Sequence, residues 1–576
     1  ECAWGSDVGD CNGAVEGGSN AALPGQDGAD SIPLLKEGEQ IVGYFYAGAW
    51  LAFPGIDLTG YTHVAAQVAS TNTGGALEVR LDAPDGELIA TIGVPNTGGW
   101  AVFRQAQATL SPASGVHTVY LVSADNGTYN GDVDWIEFFV LSSPEDTDTL
   151  FSEDTEPMNP QQVLADFPAD RVVITDDYVN SLFDAELDYI LSLEPDRLMA
   201  AVKAVSEGVN PDTATGINTY GGWEHAGSGF HLRSHTLGHW LSAMARAWQQ
   251  LHLTDPVRAA EVKEKIDYTI SELRTYQERI GTGFIYGSFE THFDSVEGKN
   301  TVTTYVPWYN MHKLLSGILD CYRFAQNDTA LTVAADLGDW IYGRVSGWDD
   351  ALRRTVLSTE YGGMNDVLYQ LYGETGDEHH LAAAQVFDED WSGGLYDRIS
   401  RGENVLPGRH ANTTIPKFVG AINRYQTLGE AAAFYRTAAQ QFWDIVLQHH
   451  TYVTGGNSQD EHFRTPDGLN AQRDNTNNET CNAYNMLKLS QNLFMVTGDV
   501  RYSDYYERNF INEILASINP ESGMTTYFKP MASGSFKMFG TPTNSFWCCT
   551  GTGMENFMKL DNSLYYHDAT DLWVNT

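Results

Sequence analysis

The hydrophobic pattern of this chain changes period once, near residue 166, and that change fixes what it can fold into. Before it, short runs such as residues 77–81 (LEVRL) and 118–122 (TVYLV) alternate apolar and polar positions between Gly, Pro, Asn and Asp clusters. Alternation of that kind is the mark of half-buried strands. After it, apolar residues recur at helical spacing, and a helix, a short polar turn and a second helix follow one another repeatedly. Five such turns carry Asp255, Asp328, Asp377, Glu430 and Asp499, at intervals of 73, 49, 53 and 69 residues. Asp, Thr and Asn at these turns are natural N-caps for the second helix. Repeated helical hairpins make an open solenoid or a closed double ring. The irregular intervals and the long Gly- and Trp-containing loops favour the closed ring.

The expected architecture is therefore multidomain: an N-terminal all-β jelly-roll sandwich followed by an all-α (α/α)6 barrel. Residues 1–39 are Gly-, Asp- and Ser-rich and read as a flexible leader; 40–142 form the β-sandwich and 143–165 an acidic linker. Residues 166–567 form the barrel. The last segment, 568–576, reads as the start of a β domain that is cut short.

Composition narrows the partners. Seventy-six acids against 33 bases give a net charge of −43, so a generally basic nucleic-acid surface is excluded, as is adhesion to anionic lipid. No apolar run approaches the roughly 20 residues of a membrane helix. The acidity fits a soluble extracellular protein or adaptation to high salt, where screening tolerates dense carboxylates. Six cysteines, Cys2, Cys11, Cys321, Cys481, Cys548 and Cys549, are too few for a disulfide scaffold. Cys2 and Cys11 could bridge locally, and Cys321 sits in an apolar run as a core thiol.

The other three cysteines carry chemistry. Asn477-Asn-Glu-Thr-Cys481 places Glu479 and Cys481 two residues apart, and Ser545-Phe-Trp-Cys-Cys-Thr-Gly551 holds Cys548 beside Cys549. Three thiols and a carboxylate can complete a tetrahedral zinc site, whereas a disulfide between adjacent cysteines is strained. Two buried thiols are the plain alternative, and a thiol redox pair is a third. His235 and His239, four apart on a helix, share a face and could bind metal, but no HExxH-like third ligand is near. Trp223, Trp308 and Tyr309 are candidates for an aromatic wall or for packing between helices.

Two resemblances organise these residues. Residues 41–53, 94–100, 115–121 and 132–138 make the β segment resemble the family 6 carbohydrate-binding modules. The resemblance implies that Trp100 walls a sugar cleft and that Asp132, where the family often has Asn, supplies a hydrogen bond. Ala49 replaces the usual Asp of a Gly-Asp-Trp segment, and calcium is a further ion expected in this module. The helical segment resembles the β-L-arabinofuranosidases of glycoside hydrolase families 127 and 146. It does so through residues 220–224 (YGGWE), 234–243 (SHTLGHWLSA), 305–313 (YVPWYNMHK), 360–365 (EYGGMN), 410–417 (HANTTIPK), 455–463 (GGNSQDEHF), 479–481 (ETC) and Cys548-Cys549. The HANT and PWY segments look closer to family 146.

That resemblance implies a secreted or cell-surface retaining glycosidase that removes terminal β-L-arabinofuranosyl groups from plant glycans or glycoproteins. Glu479, Cys481, Cys548 and Cys549 would bind zinc, Cys548 would be the nucleophile and Glu461 the general acid/base, with a raised pKa so that it starts protonated. His239, His312 and His410 would hydrogen-bond sugar hydroxyls, with Trp223 and Trp308 beside them. The partner is an arabinose-containing carbohydrate. A glycosidase for another unusual sugar and a non-catalytic carbohydrate-binding protein are the alternatives. The family also implies C-terminal β-sandwich domains, which are missing or truncated here.

Overall fold

The computed structural model describes residues 31–33, 42–46, 49–72, 75–97, 99, 103–124, 129–139, 159–227, 232–568 and 570–575. The chain divides into two units, Glu1–Thr155 and Glu156–Thr576. In the first, alternation becomes two antiparallel sheets. One contains β1 (Ser31–Pro33), β2 (Val42–Tyr46), β4 (His63–Ala69), β7 (Arg104–Thr109) and β9 (Tyr129–Phe139), in the order β1-β9-β4-β7 with β2 also on β9. The other runs β3-β8-β5-β6, from β3 (Trp50–Asp57), β5 (Gly75–Leu81), β6 (Glu87–Val94) and β8 (Val116–Ser123).

Register places one apolar face of each sheet inward. Val64 stands opposite Phe138 and Ala66 opposite Ile136 in the first sheet; Leu51 stands opposite Leu121 and Phe53 opposite Val119 in the second. These residues share one core with Val68, Leu77 and Val79, as sheets that are hydrophobic on one face require. Trp135 packs against that core, and Trp50 meets Tyr120 edge-on at 5.1 Å. Ser31–Pro33, inside the segment expected to be leader, pair with β9 as a strand. A three-residue strand on a sheet edge leaves too short an alternation to read. Cys2, Cys11 and Trp100 lie outside the described residues.

In the second unit six helices follow one another around a circuit. His235–Leu251 packs on Pro307–Ala325, then come Met364–Thr375, Ala411–Leu428, Thr480–Thr497 and Cys548–Phe557, and the last packs back on the first. These are called the first to sixth inner helices below. Each of the first five is backed by a later helix of its own hairpin: Pro256–Ile280, Asp328–Val345, Glu378–Val386, Ala433–His449 and Val500–Asn509. The sixth is covered by Asp177–Ser192, from the start of the unit.

Caps explain where the outer helices begin. Asp255, Asp377 and Asp499 accept hydrogen bonds from the backbones of Arg258, His379 and Arg501. At the second turn Asn327 takes the cap in place of Asp328, and Glu430 falls in a 3-10 turn with no side-chain cap. Glutamate is too long to fold back onto the N2 or N3 amide as Asp and Asn do.

Residues 159–165, the last seven of the expected linker, are tied to the helices. Asn159 donates to Gln426 O, Val163 N donates to Met495 O, and Leu164 is buried in the helical core. β10 (Ala165–Asp166) pairs with β11 (Tyr565–His567), which pairs with β12 (Leu572–Val574). Cys321 is buried, its thiol reaching Leu241 O.

The first two inner helices cross backbone to backbone. A Cβ on Gly317 would stand 2.0 Å from Gly238 O, and one on Gly238 would stand 2.1 Å from Lys313 O. Gly343, on an outer helix, has nothing within 4 Å of such a Cβ. Gly317→Ala is expected to destabilise by about 1–3 kcal/mol through overpacking. Gly343→Ala is expected to be neutral or to stabilise by up to about 1 kcal/mol. Thermal melts of the two variants against the parent check both signs.

Candidate active site

Four acid groups meet at the starts of two adjacent inner helices. Glu479 is the N-cap of the fifth and Cys481 lies in its first turn; Cys548 and Cys549 open the sixth. All four are buried. Helix N-termini favour negative charge, so both helices are aimed to support thiolate and carboxylate. Cys481 Sγ lies 3.2 Å from Cys549 Sγ, and Cys548 Sγ lies 3.9 Å from Cys549 Sγ. Glu479 Oε1 is 4.0 Å from Cys548 Sγ and 3.9 Å from Cys549 Sγ.

These spacings suit one ion. A tetrahedron with metal–sulfur bonds of about 2.3 Å has edges of about 3.8 Å, close to three of the four separations. Glu479 Oε2 is buried without a hydrogen-bond partner among the described residues. Burial pushes Glu479, Cys481 and Cys549 well above their ordinary pKa values. Cys548 is the exception. Burial raises it too, but hydrogen bonds from Cys481, Cys549 and Tyr527 outweigh that and hold it well below. Three thiols and a carboxylate in one dry pocket cannot all ionise without a cation, and the soft sulfur-rich donor set fits zinc.

A second carboxylate approaches from the outside. Glu461 sits at φ 63°, after Ser458 and Asp460 in the same left-handed region. Three non-glycine residues held there in four positions make a strained loop, of the kind that the surroundings must enforce. Backbone bonds do so: Glu461 O accepts from Ala411 N, and Gln459 and His462 exchange hydrogen bonds. The Glu461 side chain is about one-third exposed. Its Oε2 lies 3.5 Å from His410 Nε2, and its Oε1 accepts from the Tyr527 phenol. That phenol is also 3.3 Å from Cys548 Sγ. Tyr527 thus bridges the solvent-reaching carboxylate and the buried thiol.

The raised pKa expected of Glu461 is not found. The hydrogen bond from His410, with the one from Tyr527, outweighs burial and holds the carboxyl below its usual range. Donors on both oxygens stabilise the charged form.

The histidines are brought to the same end of the helices. His239 Nδ1 pairs with Glu555 Oε1, while its Nε2 is buried without a partner among the described residues. His312 Nε2 lies 3.5 Å from Asp366 Oδ2. Burial pushes His239 and His312 each down to about 4. His410 caps the fourth inner helix through Nδ1, accepting from Thr413 N at 3.2 Å, and so points Nε2 at Glu461. Trp223, Tyr309 and Tyr527 pack directly on the three thiols.

Trp308 is not brought there. It is buried among Phe293, Trp348 and Phe387, with Trp340 beyond, and Glu360 accepts from its backbone N–H. One position along the helix turns the side chain away, so Tyr309 faces the thiols in its place. In the β unit, Asp132 is half-buried on β9 opposite Ala69.

Nothing in the sequence pattern pointed to Tyr527, which stands in a short bridge segment without periodicity. Glu555 was findable: it stands seven residues after Cys548 on one helix face. Glu224 was quoted only as part of a motif. It accepts from Ser234 N and Thr236 N and pairs with His235 Nδ1 at 2.9 Å. Among the described residues a second possible metal cluster, Asp339, Asp377 and His379, is wholly exposed on outer helices. Neither cluster lies in the β module, so the calcium expected there gains no support.

Residues 171–562 match the model of the β-L-arabinofuranosidase GH127 catalytic domain. The chain belongs to that family. Residues 25–139 match the family 6 carbohydrate-binding module. A solved GH127 β-arabinofuranosidase superposes with a TM-score of 0.55 at 17% identity, over 72% of this chain and 64% of that one. A GH127 β-L-arabinofuranosidase from Geobacillus stearothermophilus T6 gives 0.51 at 15% identity, over 70% and 67%. At these identities the likeness speaks for the fold. The arabinoxylan arabinofuranohydrolase of Bacillus subtilis (strain 168) is 44% identical over 85 residues, 14% of this chain and 16% of that protein. Endo-1,4-beta-xylanase A of Thermoclostridium stercorarium is 37% identical over 105 residues, 18% of this chain and 20% of that protein. The chain thus spans about a sixth to a fifth of these curated relatives and about two thirds of the solved GH127 chains.

The GH127 domain of this chain is expected to carry one zinc per molecule as purified. Elemental analysis should find that stoichiometry in the parent and at least a 10-fold weaker hold on the ion in Cys549→Ser. A metal-free parent whose thiols form disulfides would favour the redox reading.

Proposed function

We propose that this protein is a zinc-dependent retaining glycosidase that removes terminal β-L-arabinofuranosyl groups from plant glycans or glycoproteins. The observation that carries the reading is the buried Glu479, Cys481, Cys548 and Cys549 set with Glu461 linked to it through Tyr527. Membership of the GH127 family and the names of its solved members support the sugar.

Glu479, Cys481, Cys548 and Cys549 would hold the zinc, which supplies the positive charge that keeps buried thiols ionised. Cys548 attacks the anomeric carbon, forming a carbon–sulfur bond as the bond to the leaving oxygen breaks. Protonated Glu461 gives that oxygen its proton. Glu461, now ionised, takes a proton from water, which attacks the same carbon and returns the electron pair to Cys548 sulfur. Two inversions leave the configuration retained. Tyr527 and His410 hold Glu461 in place between the two steps. Because free Glu461 is held ionised, entry of the sugar must displace these donors or desolvate the carboxyl before the first step.

We also read the inner circuit with its outer partners as an (α/α)6 barrel, and the two β sheets over one core as a jelly roll. Its likeness to family 6 modules makes the β unit a grip on carbohydrate, with Trp100 and Asp132 as its binding residues. An enzyme of this kind, with its dense acidic composition, fits secretion into the surroundings of plant polymers or attachment at the cell surface.

The direct test is release from an aryl β-L-arabinofuranoside by the zinc-loaded protein. Cys548→Ala and Glu461→Gln should each lose at least about 100-fold in kcat/KM. A parent that releases nothing from this substrate but cleaves another furanoside would keep the chemistry and change the sugar. The pH profile checks the acid separately. Removing a donor from the carboxylate raises its pKa, so Tyr527→Phe should move the alkaline limb of kcat/KM to higher pH. A limb that stays put would remove Glu461 from the role.

A further inference from the structure

Behind the site, the ring centre holds a cavity of about 300 Å³ lined by charged side chains, among them Arg246, Asp320, Lys488 and Lys559. Glu555 is on its wall and faces His239. Both oxygens of Glu555 are engaged: Oε1 by His239 Nδ1 and Oε2 by the Tyr484 phenol. The carboxylate cannot rotate without giving up one of them. An ionised carboxylate can only accept, so the imidazole proton in this pair lies on Nδ1. The other nitrogen, Nε2, then carries a lone pair. It is buried and has no partner among the described residues. An unmet buried acceptor is costly, and a ligand hydroxyl would relieve that cost.

The ring is also clamped from one side. A Cβ on Gly551 would stand 2.2 Å from His239 Cδ2, so only glycine lets the sixth inner helix lie against the imidazole. That helix carries Cys548 and Cys549 at its start, Gly551 on the ring and Glu555 at the ring nitrogen. One rigid element therefore sets both the thiols and the orientation of His239.

We propose that Glu555 is the positioning residue for His239: it fixes the proton on Nδ1 and presents Nε2 as an acceptor to a hydroxyl of the bound sugar. The proposal rests on the glycosidase reading for the identity of the ligand. Burial, which holds His239 down to about 4 against the pull of Glu555, keeps the ring neutral near neutral pH and the lone pair available. Glu555, despite its burial, is held well below the usual carboxylate range by the His239 hydrogen bond, with Lys559 and Lys313 adding to it, so it stays an acceptor.

The test reads the tautomer and the kinetics separately. In protein labelled with ¹⁵N-histidine, the His239 resonances are assigned by their loss in His239→Ala. The parent is expected to show a single Nδ1–H tautomer, and Glu555→Leu a mixture. Glu555→Gln, whose amide oxygen can still accept, should recover most of the parent signal. On the intact furanoside Glu555→Leu should lose about 10–100-fold in kcat/KM. On the one deoxy analogue that lacks the contacted hydroxyl, it should match the parent. An Nε2–H tautomer in the parent overturns the proposal even if Glu555→Leu fails to fold. Equal losses on every deoxy analogue, with zinc content unchanged, overturn it as well. A parent inactive on all furanosides would sink the sugar reading while the tautomer still decides the role of Glu555.

Discussion

The sixth inner helix meets the first through a residue with no side chain, and the rest of the helical unit depends on that contact. Gly551 lies on the His239 imidazole, and any larger residue would hold the two helices apart. Closing the circuit there brings the start of the sixth helix beside the start of the fifth. The Cys548 and Cys549 thiols then fall within reach of Cys481 and Glu479. The same helix carries Glu555 one further turn to the histidine. Ring closure and site assembly are one event. Gly238 and Gly317 play the matching part between the first and second helices, where backbone meets backbone.

A ring of buried helices has a polar problem at its centre. Inner helices bury residues on every side, so side chains that would face water on an outer helix face one another. Here they are matched in sign. Lys488 pairs with Asp366 at 2.7 Å, while the Lys417 ammonium donates to Phe387 O. Of the eleven lysines in the chain, Lys313, Lys417 and Lys529 are buried, and Lys488 and Lys559 line the central cavity.

Periodicity made the two textures and the helical hairpins legible, because alternation and helical spacing are local properties of a sequence. The pairing of Glu479 with the three cysteines was legible as chemistry, since thiols and a carboxylate in two short motifs limit what they can do. What could not be read was anything fixed by distant contact. Tyr527 is a catalytic neighbour only because its segment bridges Glu479 through Phe528. Trp308 and Tyr309 are adjacent in sequence, and only the rotation of their helix decides which one faces the thiols. Glu461 looks like an acid that should hold its proton until His410 and Tyr527 are seen to bond its two oxygens. The β1 strand was missed for a smaller reason: three residues on a sheet edge leave too short an alternation to read.

The buried acids of the helical unit divide by how their charge is met, and the division bears on the metal. Glu360 accepts two backbone N–H groups, and burial still pushes it up to about 8, so it is protonated near neutral pH. Glu186 has no cation either and is pushed well above its usual range by burial alone. Asp366 and Glu555 face lysine or histidine and are held well below. Glu479 belongs with neither set. Lys529, the ammonium nearest to it in charge effect, is already engaged by Thr480 and Glu513. Glu479 Oε2, like Oε1 of Glu360 and Oε2 of Glu186, has no partner among the described residues, so what sets Glu479 apart is the three thiols beside it. Two helix N-termini aimed at the same four groups favour the anionic form. A cation from outside the polypeptide would meet that charge, and three sulfurs would favour a soft one.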